Sequence, residues 1–430
     1  MLKRIMVFMA IFLFMVQPVQ TKASKETNNE TPKLLTIEYV IEEGLKNSYD
    51  ILYYTHRWNM LNYQKEDTKG VLNGIEEPKL SSLQLLPVTR EEFLAAYPNY
   101  NQLTEEEKQE IDRVIEIQIQ INQSLNIILL QNHQSAKEQL KALEKEVAEK
   151  KRQLQQLIKE IDVEQDITKL NEKEIKESIQ YYLTKLYIHI LLYDEQIAFL
   201  EKEVQFLQGD VERVERFLKV DNASKEELKK IKYQLSRKEQ ELLNLKKSRQ
   251  LLEKQLMIDL DIPLTQKVVF QAIDTSNLKK IEQPKDMKVL IENSFVYQKN
   301  KKNLEAANYK KEQASRNTEK QQMEQHVKML EAQLNATAQK LKKFLVERYS
   351  YFESIYDKCQ DLYGTYEQAQ SDKEYYDKQL EIGLISQHEY QKSILELDEA
   401  MRDYRLAKLE YYLVEVEEKQ FHKGYIPIEN

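Results

Sequence analysis

The chain has 430 residues, of which 32% are charged and 41% are hydrophobic, with only 7 glycines and 8 prolines. This composition is typical of long charged helices rather than of a compact mixed domain. The formal net charge of −8 argues against a nucleic-acid ligand. The single cysteine, Cys359, excludes an intrachain disulfide, so an exported form of this chain must be stabilised by packing.

The first 23 residues predict a signal peptide. Lys3 and Arg4 precede an apolar run from Ile5 to Val16, and the segment 21–23 fits a small-residue cleavage site. The run is short for a bilayer span, although a retained anchor is the alternative. No cysteine follows it, so a lipid anchor is not predicted. Residues 24–34 are polar and are predicted to form a mobile N-terminal segment.

Two gapless registers indicate an internal duplication. When the sequence is aligned with itself at an offset of 162 residues, Val220 aligns with Ile382. At an offset of 246 residues, the segment 47–49 aligns with 293–295. A repeat of this length indicates two copies of one large helical unit rather than a short solenoid. The predicted organisation is a first repeat at 35–261 with an insertion at about 68–150, a connector at 262–284, a second repeat at 285–422 and a tail at 423–430.

In the first repeat, Thr36 is predicted to cap an initial helix. Residues 70–103 contain several Gly and Pro breakers and predict a loop or a small irregular cap. Thr104 then begins a long helix that meets no Gly or Pro before Gly209. Within it, apolar and polar residues alternate over Ile115–Ile121, which leaves strand or helix open at that point.

The connector is predicted to contain a short strand at Val268–Phe270. The second repeat has no breaker between Pro284 and Gly364, yet a single helix of that length would span roughly 120 Å. We therefore expect a chain reversal near 315–318, with Thr318 and Gln321 forming a capping box.

Each repeat contains one tight turn between long helices. In the second repeat, Gly383 is predicted to end a helix in the left-handed conformation. Ser386 and Glu389 then fit a capping box for the next helix. In the first repeat, Ser224 and Glu227 fit the same box, but the tip lacks the glycine. A generic helical hairpin would also have these signals.

The sequence carries no pattern of catalytic or ligand-binding residues. The six histidines do not pair at metal-ligand spacing on any one helix, and no phosphate-binding glycine loop or nucleophile elbow is present. Carboxylate pairs are uninformative in so acidic a helical chain. We therefore predict neither an enzyme nor a cofactor.

The opening stretch 35–49 and the second tip, 380–390, together resemble the TolC family of outer-membrane efflux proteins. The resemblance covers nearly all of the mature chain except about 68–150. The second repeat offers no strand pair between 286 and 381, and the first offers at most Ile115–Ile121. The predicted fold class is therefore all-α: elongated antiparallel coiled-coil hairpins in two tandem repeats, a TolC-like helical barrel subunit without a clear β-barrel.

The resemblance implies a homotrimer whose lower helical tips contact a periplasmic adaptor, or membrane-fusion-type protein, linked to an inner-membrane or ABC-type transporter. The second tip matches the family pattern better than the first. The resemblance therefore assigns partner-binding residues more strongly in the second tip. The implied partner-binding residues are Gly383, Leu384, Ile385, Ser386, Glu389 and Tyr390 in the second tip and Val220, Asn222, Ala223 and Ser224 in the first.

Two functions from different classes fit these features. The first is an exported, TolC-like helical conduit or adaptor-docking component of an efflux or secretion system. The alternative is a cell-envelope coiled-coil scaffold that binds a partner and conducts nothing. In both cases the protein lies outside the cytoplasmic membrane, and outer-membrane placement would require a barrel hidden in 68–150.

Overall fold

The computed structural model describes residues 32–314 and 316–428. The predicted signal peptide, most of the predicted mobile segment and the last two residues of the tail lie outside this part. The described chain consists mainly of helices, with longer non-helical connections at 74–89 and 260–287. Their bounds are α1 Ile37–Lys46, α2 Tyr49–Asn73, α3 Arg90–Leu94, α4 Glu105–Leu218, α5 Lys225–Asp259, α6 Lys288–Asn293, α7 Phe295–Gln313, α8 Asn317–Glu381 and α9 Gln387–His422, with strands β1 Lys33–Leu35 and β2 Val268–Phe270.

The helices begin where short polar side chains can accept backbone N–H groups. Thr36 caps α1 as predicted, and its hydroxyl accepts the N–H of Tyr39 at 3.2 Å. Ser48 caps α2 and Ser294 caps α7, each accepting the N–H three residues on at 3.3 Å. These two serines are equivalent in the 246-residue register, so both copies of the predicted repeat have a serine cap at this position.

The longest helix, α4, runs through the stretch that the sequence left open. Residues 115–121 are helical and continuous with both flanks. Ile115 is buried, whereas Ile117 and Ile121 are half-exposed, so the alternation does not mark a two-faced strand. A helix satisfies its own backbone hydrogen bonds, and an isolated strand at this position would have no partner.

One predicted cap is wrong. The chain does reverse between α7 and α8, but Arg316 occupies the N-cap position of α8 and makes no side-chain capping bond. Thr318 lies inside the first turn, where its hydroxyl cannot accept the orphan N–H groups as a cap does. The irregular segment predicted at 70–103 starts slightly later, because α2 continues to Asn73, and it contains α3 and a 3₁₀ turn at Tyr100–Gln102.

The helices form a layer in which α4 is central. α2 and α5 pack on one side of α4, α7 and α9 pack on the other, and α8 packs outside α7 and α9. Within the described residues the layer is therefore open, with α2 and α5 along one edge and α8 along the other. No helix within 32–314 or 316–428 combines the length and the apolar character needed to cross a membrane.

Two apolar cores hold the layer together, one in each repeat. The first surrounds Leu183, Tyr187 and Ile190 of α4, and the second surrounds Leu345, Tyr349 and Phe352 of α8. These triplets are equivalent in the 162-residue register. Each buried side chain of this size contributes roughly 1.5–3 kcal/mol, so a few such positions fix where the long helices cross.

A short parallel sheet closes the first core. β2 forms at the predicted place and pairs with β1, a strand that the sequence did not predict, in the register Lys33 to Val268. The buried Tyr187 hydroxyl lies 2.8 Å from the Leu35 oxygen and 2.7 Å from the Gln271 oxygen, and can donate to either. Burial raises the pKa of Tyr187 to about 12, which keeps the hydroxyl as a donor. The three-residue strand is thus fixed by α4.

The end of α9 provides a stability prediction. Gly424 has φ +95°, and a Cβ at this position would lie 2.5 Å from the backbone oxygen of Asn293. Gly424→Ala should therefore lower the free energy of unfolding by on the order of 2–3 kcal/mol. The matched control is Gly209→Ala in α4, where the added Cβ meets nothing within 4 Å. The control should stabilise the helix by up to about 1 kcal/mol, measured by denaturant unfolding. Equal effects of the two substitutions would contradict the close approach of Gly424 to Asn293.

Candidate partner-binding tips

The second tip joins α8 to α9 through a tight turn around Gly383. This glycine has φ +74°, so the predicted left-handed conformation is confirmed. The N–H of Leu384 donates to the Gln379 oxygen at 2.8 Å, and the N–H of Gly383 donates to the Leu380 oxygen at 3.0 Å. These two bonds form a Schellman motif, which satisfies the last carbonyl groups of α8.

The restart of the helix after this turn also follows the prediction. The Ser386 hydroxyl accepts the N–H of Glu389 at 3.2 Å, and the Glu389 carboxylate accepts the N–H of Ser386 at 2.8 Å. The capping box is therefore complete. The bond from the Ser386 N–H, together with that from its hydroxyl, lowers the pKa of Glu389. Glu389 thus stays ionised and orders the turn.

The first tip has the same geometry without a glycine. Asp221, which aligns with Gly383, has φ +56°. The N–H of Asn222 donates to the Phe217 oxygen at 2.9 Å, as Leu384 does in the second tip. Asp tolerates the left-handed region better than most residues, because its short polar side chain can bond locally. The missing glycine therefore does not change the turn.

The predicted capping box of the first tip is only half formed. Ser224 caps α5 and accepts the N–H of Glu227 at 3.0 Å. Between these two described residues, the second bond of the capping box, from the Ser224 N–H to the Glu227 carboxylate, does not form. The motif therefore fixes the Glu227 backbone but not its exposed side chain, so the first tip is less tightly braced than the second.

The apolar side chains at the tips point into solvent. Ile382 and Leu384 are 68% and 69% exposed, and Val220 of the first tip is 63% exposed. Ile385 and its equivalent Ala223 are half-buried between the helices. The outward pair of the second tip is therefore Ile382 and Leu384. Ile382 was not among the predicted site residues, although the repeat alignment places it opposite Val220.

Just above the tips, His388 joins the two hairpins. Its ring stacks on Phe206 of α4 with centroids 5.3 Å apart, and its Nδ1 lies 3.1 Å from an oxygen of Asp210. Arg213 also donates to Asp210, at 3.2 Å. Single-residue patterns could not reveal this contact, because the two partners lie about half the chain apart. It fixes the spacing between the tips.

Tyr390 belongs to the internal bracing of the second hairpin. Its hydroxyl donates to Asp377 of α8 at 2.6 Å, and Lys373 pairs with the same carboxylate at 2.7 Å. The bond from Lys373, followed by that from Tyr390, lowers the pKa of Asp377. Tyr390 therefore holds α8 and α9 together near the turn, while the apolar pair beyond it is free to contact a partner.

Within residues 32–314 and 316–428, no group of three or more His, Cys, Asp and Glu side chains is arranged to hold a metal ion. The tips present a matched pair of turns with exposed apolar side chains, next to the charged side chains of Asp210, Arg213, Asp377 and Lys373. Such features suit the binding of another protein rather than the binding of a small molecule.

Comparison with solved structures identifies the fold. The chain aligns with CusC, which forms a transmembrane channel, at a TM-score of 0.57 and 11% identity, over 90% of this chain and 91% of that one. It aligns with the outer-membrane protein VceC of Vibrio cholerae at a TM-score of 0.55 and 11% identity, over 91% and 97%. The outer-membrane channel OprN gives a TM-score of 0.56 at 9% identity, over 90% of both chains.

The chain has the fold of these channels. The TolC-like, all-α architecture predicted from the sequence is therefore confirmed. No protein-family model and no curated protein matches the chain by sequence. The structural neighbours are channel proteins rather than enzymes.

The two turns provide a reciprocal test. Gly383→Asp should destabilise the second hairpin by about 1 kcal/mol, because a side chain must enter the left-handed region. Gly383→Val should cost more, on the order of 1–3 kcal/mol, since a β-branched residue is strained there. Asp221→Gly should have the opposite sign and stabilise the first hairpin by up to about 1 kcal/mol.

The matched control for these turn variants is Gly364→Ala, a helix-interior glycine whose Cβ would meet nothing within 4 Å. It should raise stability by up to about 1 kcal/mol. All variants are compared by thermal unfolding monitored by circular dichroism. A destabilising Asp221→Gly would contradict the inferred equivalence of the two turns.

Proposed function

We propose that this protein is an exported, trimeric helical conduit whose tips dock a periplasmic-adaptor-type protein of an efflux or secretion system. The observation that carries the proposal is the duplicated hairpin that ends in two matched turns with exposed apolar side chains. The similarity in fold to outer-membrane channels supports it. The protein would act outside the cytoplasmic membrane, with an inner-membrane or ABC-type transporter as the energy source.

The open layer supports assembly into a ring. A layer with two different free edges can pair head to tail, with the α8 edge of one copy against the α2 and α5 edge of the next. Such heterologous contacts close into a ring when the rotation between copies is suitable. The number of subunits, three, follows from the resemblance to the TolC family.

Both free edges carry apolar side chains that suit a neighbour. On α2, one stripe away from α4 contains Tyr49, Met60 and Tyr63, and Tyr63 is 75% exposed. On α8, Met329 and Tyr375 are exposed as well, at 57% and 59%. With the exposed Tyr53 and His56, which lie between Tyr49 and Met60, the α2 stripe follows alternating steps of four and three residues, as in a coiled-coil seam. Pairing the edges would remove this surface from water.

The edges generate a prediction about assembly. Met60→Glu combined with Tyr63→Glu should convert the trimer to monomers, because each copy would bury two unpaired charges at the interface. The helical content should be unchanged, since both side chains face away from α4.

Leu264→Glu, an equally apolar and exposed position in the connector, is the control and should leave the mass unchanged. Sedimentation equilibrium measures the mass. A wild-type mature chain that sediments as a monomer, alone and with its adaptor, would end the conduit proposal.

The second tip generates a prediction about docking. Ile382→Asp combined with Leu384→Asp should leave the melting temperature nearly unchanged, because both side chains are exposed in the free protein. Adaptor binding should weaken by about 100-fold or more, since each side chain buried on binding is worth roughly 1.5–3 kcal/mol. Calorimetric titration with the adaptor protein of the same organism measures this, and Leu264→Asp is the control.

The outcomes of the tip experiment separate the proposals. A large loss of stability in the Asp variant would mean that the tip is part of the folded core, and the docking role would be withdrawn. Unchanged export of dyes or peptides after gene deletion, together with altered cell shape, would favour the scaffold instead. Loss of export restored by wild type but not by the tip variant supports the conduit.

A further inference from the structure

The N-terminal part of α4 extends beyond the rest of the layer. Arg152 donates to the backbone oxygen of Gln313 at 2.7 Å, at the point where α7 ends and the chain turns into α8. We call residues 105–150 of α4 the arm. At 1.5 Å per residue the arm continues for about 70 Å past this turn. It lies at the opposite end of the molecule from the tips.

One face of the arm is covered by the chain's own irregular segment. The Asn126 side chain accepts the N–H of Leu86 at 2.8 Å and donates to the Leu86 oxygen at 2.9 Å. Asn122 donates to the Pro87 oxygen at 2.8 Å, and both asparagines are buried. Arg90 also pairs with Asp112 at 2.7 Å. These bonds satisfy the polar groups on this face, so it requires no further partner.

A second face, about a quarter turn away, is apolar and exposed. Its positions follow steps of three, four and four residues, which is an 11-residue period. We call this set the arm seam. It consists of Val114, Ile117, Ile121, Leu125, Ile128, Asn132, Ala136, Gln139, Leu143 and Val147. The five seam side chains from Val114 to Ile128 are between 43% and 53% exposed, and Leu143 is 50% exposed. Ala136 and Val147 are half-buried.

The surroundings of the arm seam are unusual for a solvated helix. Residues 117–136 contain no Asp, Glu, Lys or Arg, although charged residues make up 32% of the chain. The following stretch, 137–152, is densely charged, as expected for a helix in water. An uncharged amide-rich band around an exposed apolar seam indicates a helix that is buried in the assembled protein.

We propose that the arm seams of the copies of this chain pack against one another in parallel and in register, as a helical bundle at the end opposite the tips. This inference rests on the proposed ring. Copies arranged head to tail in a ring all point the same way, so their arms extend in the same direction and reach the same height. The arm of a second copy has the same 11-residue period, so its apolar positions can face those of the first arm along the whole seam.

The polar residues within the seam favour this occupant. In register, Asn132 of each copy faces Asn132 of its neighbours, and Gln139 faces Gln139. Amide side chains both donate and accept, so equivalent residues can bond to each other. A shifted register would bury these amides against Ile or Leu, at the cost of unsatisfied polar groups. A buried Asn is known to select register in helical bundles for this reason.

The 11-residue period also predicts the form of the bundle. A period of 3.67 residues per turn is close to that of a straight helix and gives at most a slight right-handed supercoil. The arms can therefore associate without the left-handed winding that a heptad seam would impose. This fits α4, which must also pack along α5, α9 and α7 over its lower part.

Disulfide trapping tests the register directly. In a Cys359→Ser background, Ile121→Cys or Ile128→Cys should yield covalent dimers of the full mature chain on mild oxidation. Equivalent seam positions of parallel copies lie within the Cα separation that a disulfide spans. Gln120→Cys and Gln123→Cys, exposed positions off the seam, are the controls and should remain monomeric on denaturing gels. Absence of seam dimers while the wild-type mass is trimeric would overturn the proposal.

Charge placed on the seam tests its contribution to assembly. Ile121→Glu with Ile128→Glu should raise the concentration at which the oligomer dissociates by about 100-fold, since charges would be buried in each copy. Gln120→Glu with Gln123→Glu adds the same charge beside the seam and should have a much smaller effect. Sedimentation equilibrium gives both values. Equal effects of the two variants would overturn a specific seam.

The same experiments distinguish failure of the seam from failure of the ring. If Met60→Glu with Tyr63→Glu gives monomers while seam cysteines never cross-link, the ring stands and the arm proposal fails. If seam cysteines cross-link while the edge variant keeps its full mass, the arms associate without the ring, and the conduit fails. Binding of the chain to phosphatidylglycerol vesicles, lost in the Ile121→Glu and Ile128→Glu variant and without cross-linking, would assign the seam to lipid instead.

Discussion

Lateral packing on α4 is the constraint on which this structure depends. A helix of 114 residues has no core of its own and is stable only where neighbours cover it. α1, α2, α3, α5, α7 and α9 all contact it, whereas α6 and α8 pack on α7 and α9 instead. Because the contacts are spread along the helix, a few crossing points must set its position, and the two equivalent apolar cores provide them. The stability of the molecule is thus concentrated in its middle.

Duplication with divergence explains how the two tips differ in sequence yet share one geometry. The backbone of a Schellman turn needs one left-handed residue, and either Gly383 or Asp221 can supply it. The same substitution recurs at the other helix ends, where Gly424 ends α9 and Asp261 ends α5. The second repeat therefore uses glycine at both ends and the first repeat uses aspartate at both. The left-handed conformation is therefore common to both halves of the chain, although the residue type that adopts it differs.

The two ends of the molecule have different chemistry, which bears on function. At the tips, a small apolar surface is presented by rigid turns next to the contact between His388 and Asp210. At the opposite end, the arm presents a long uncharged seam. A compact apolar tip suits docking to a different protein, and a periodic seam suits association of like chains. The free edges of the layer lie between these two ends, so assembly along the edges would leave the tips accessible and bring the arms together.

From the sequence alone, periodicity and capping residues determined the long helices, both tips, the strand at Val268–Phe270 and the left-handed Gly383, because these depend on local backbone preferences. The resemblance to a family supplied the fold class. Only the tertiary structure decided that Ile115–Ile121 is helical, that Asp221 replaces a glycine, that β1 exists, and that Ile382 rather than Ile385 points outward. Each of these depends on which side chains a distant segment covers. Burial and pairing arise between residues far apart in the chain, and no local pattern encodes them.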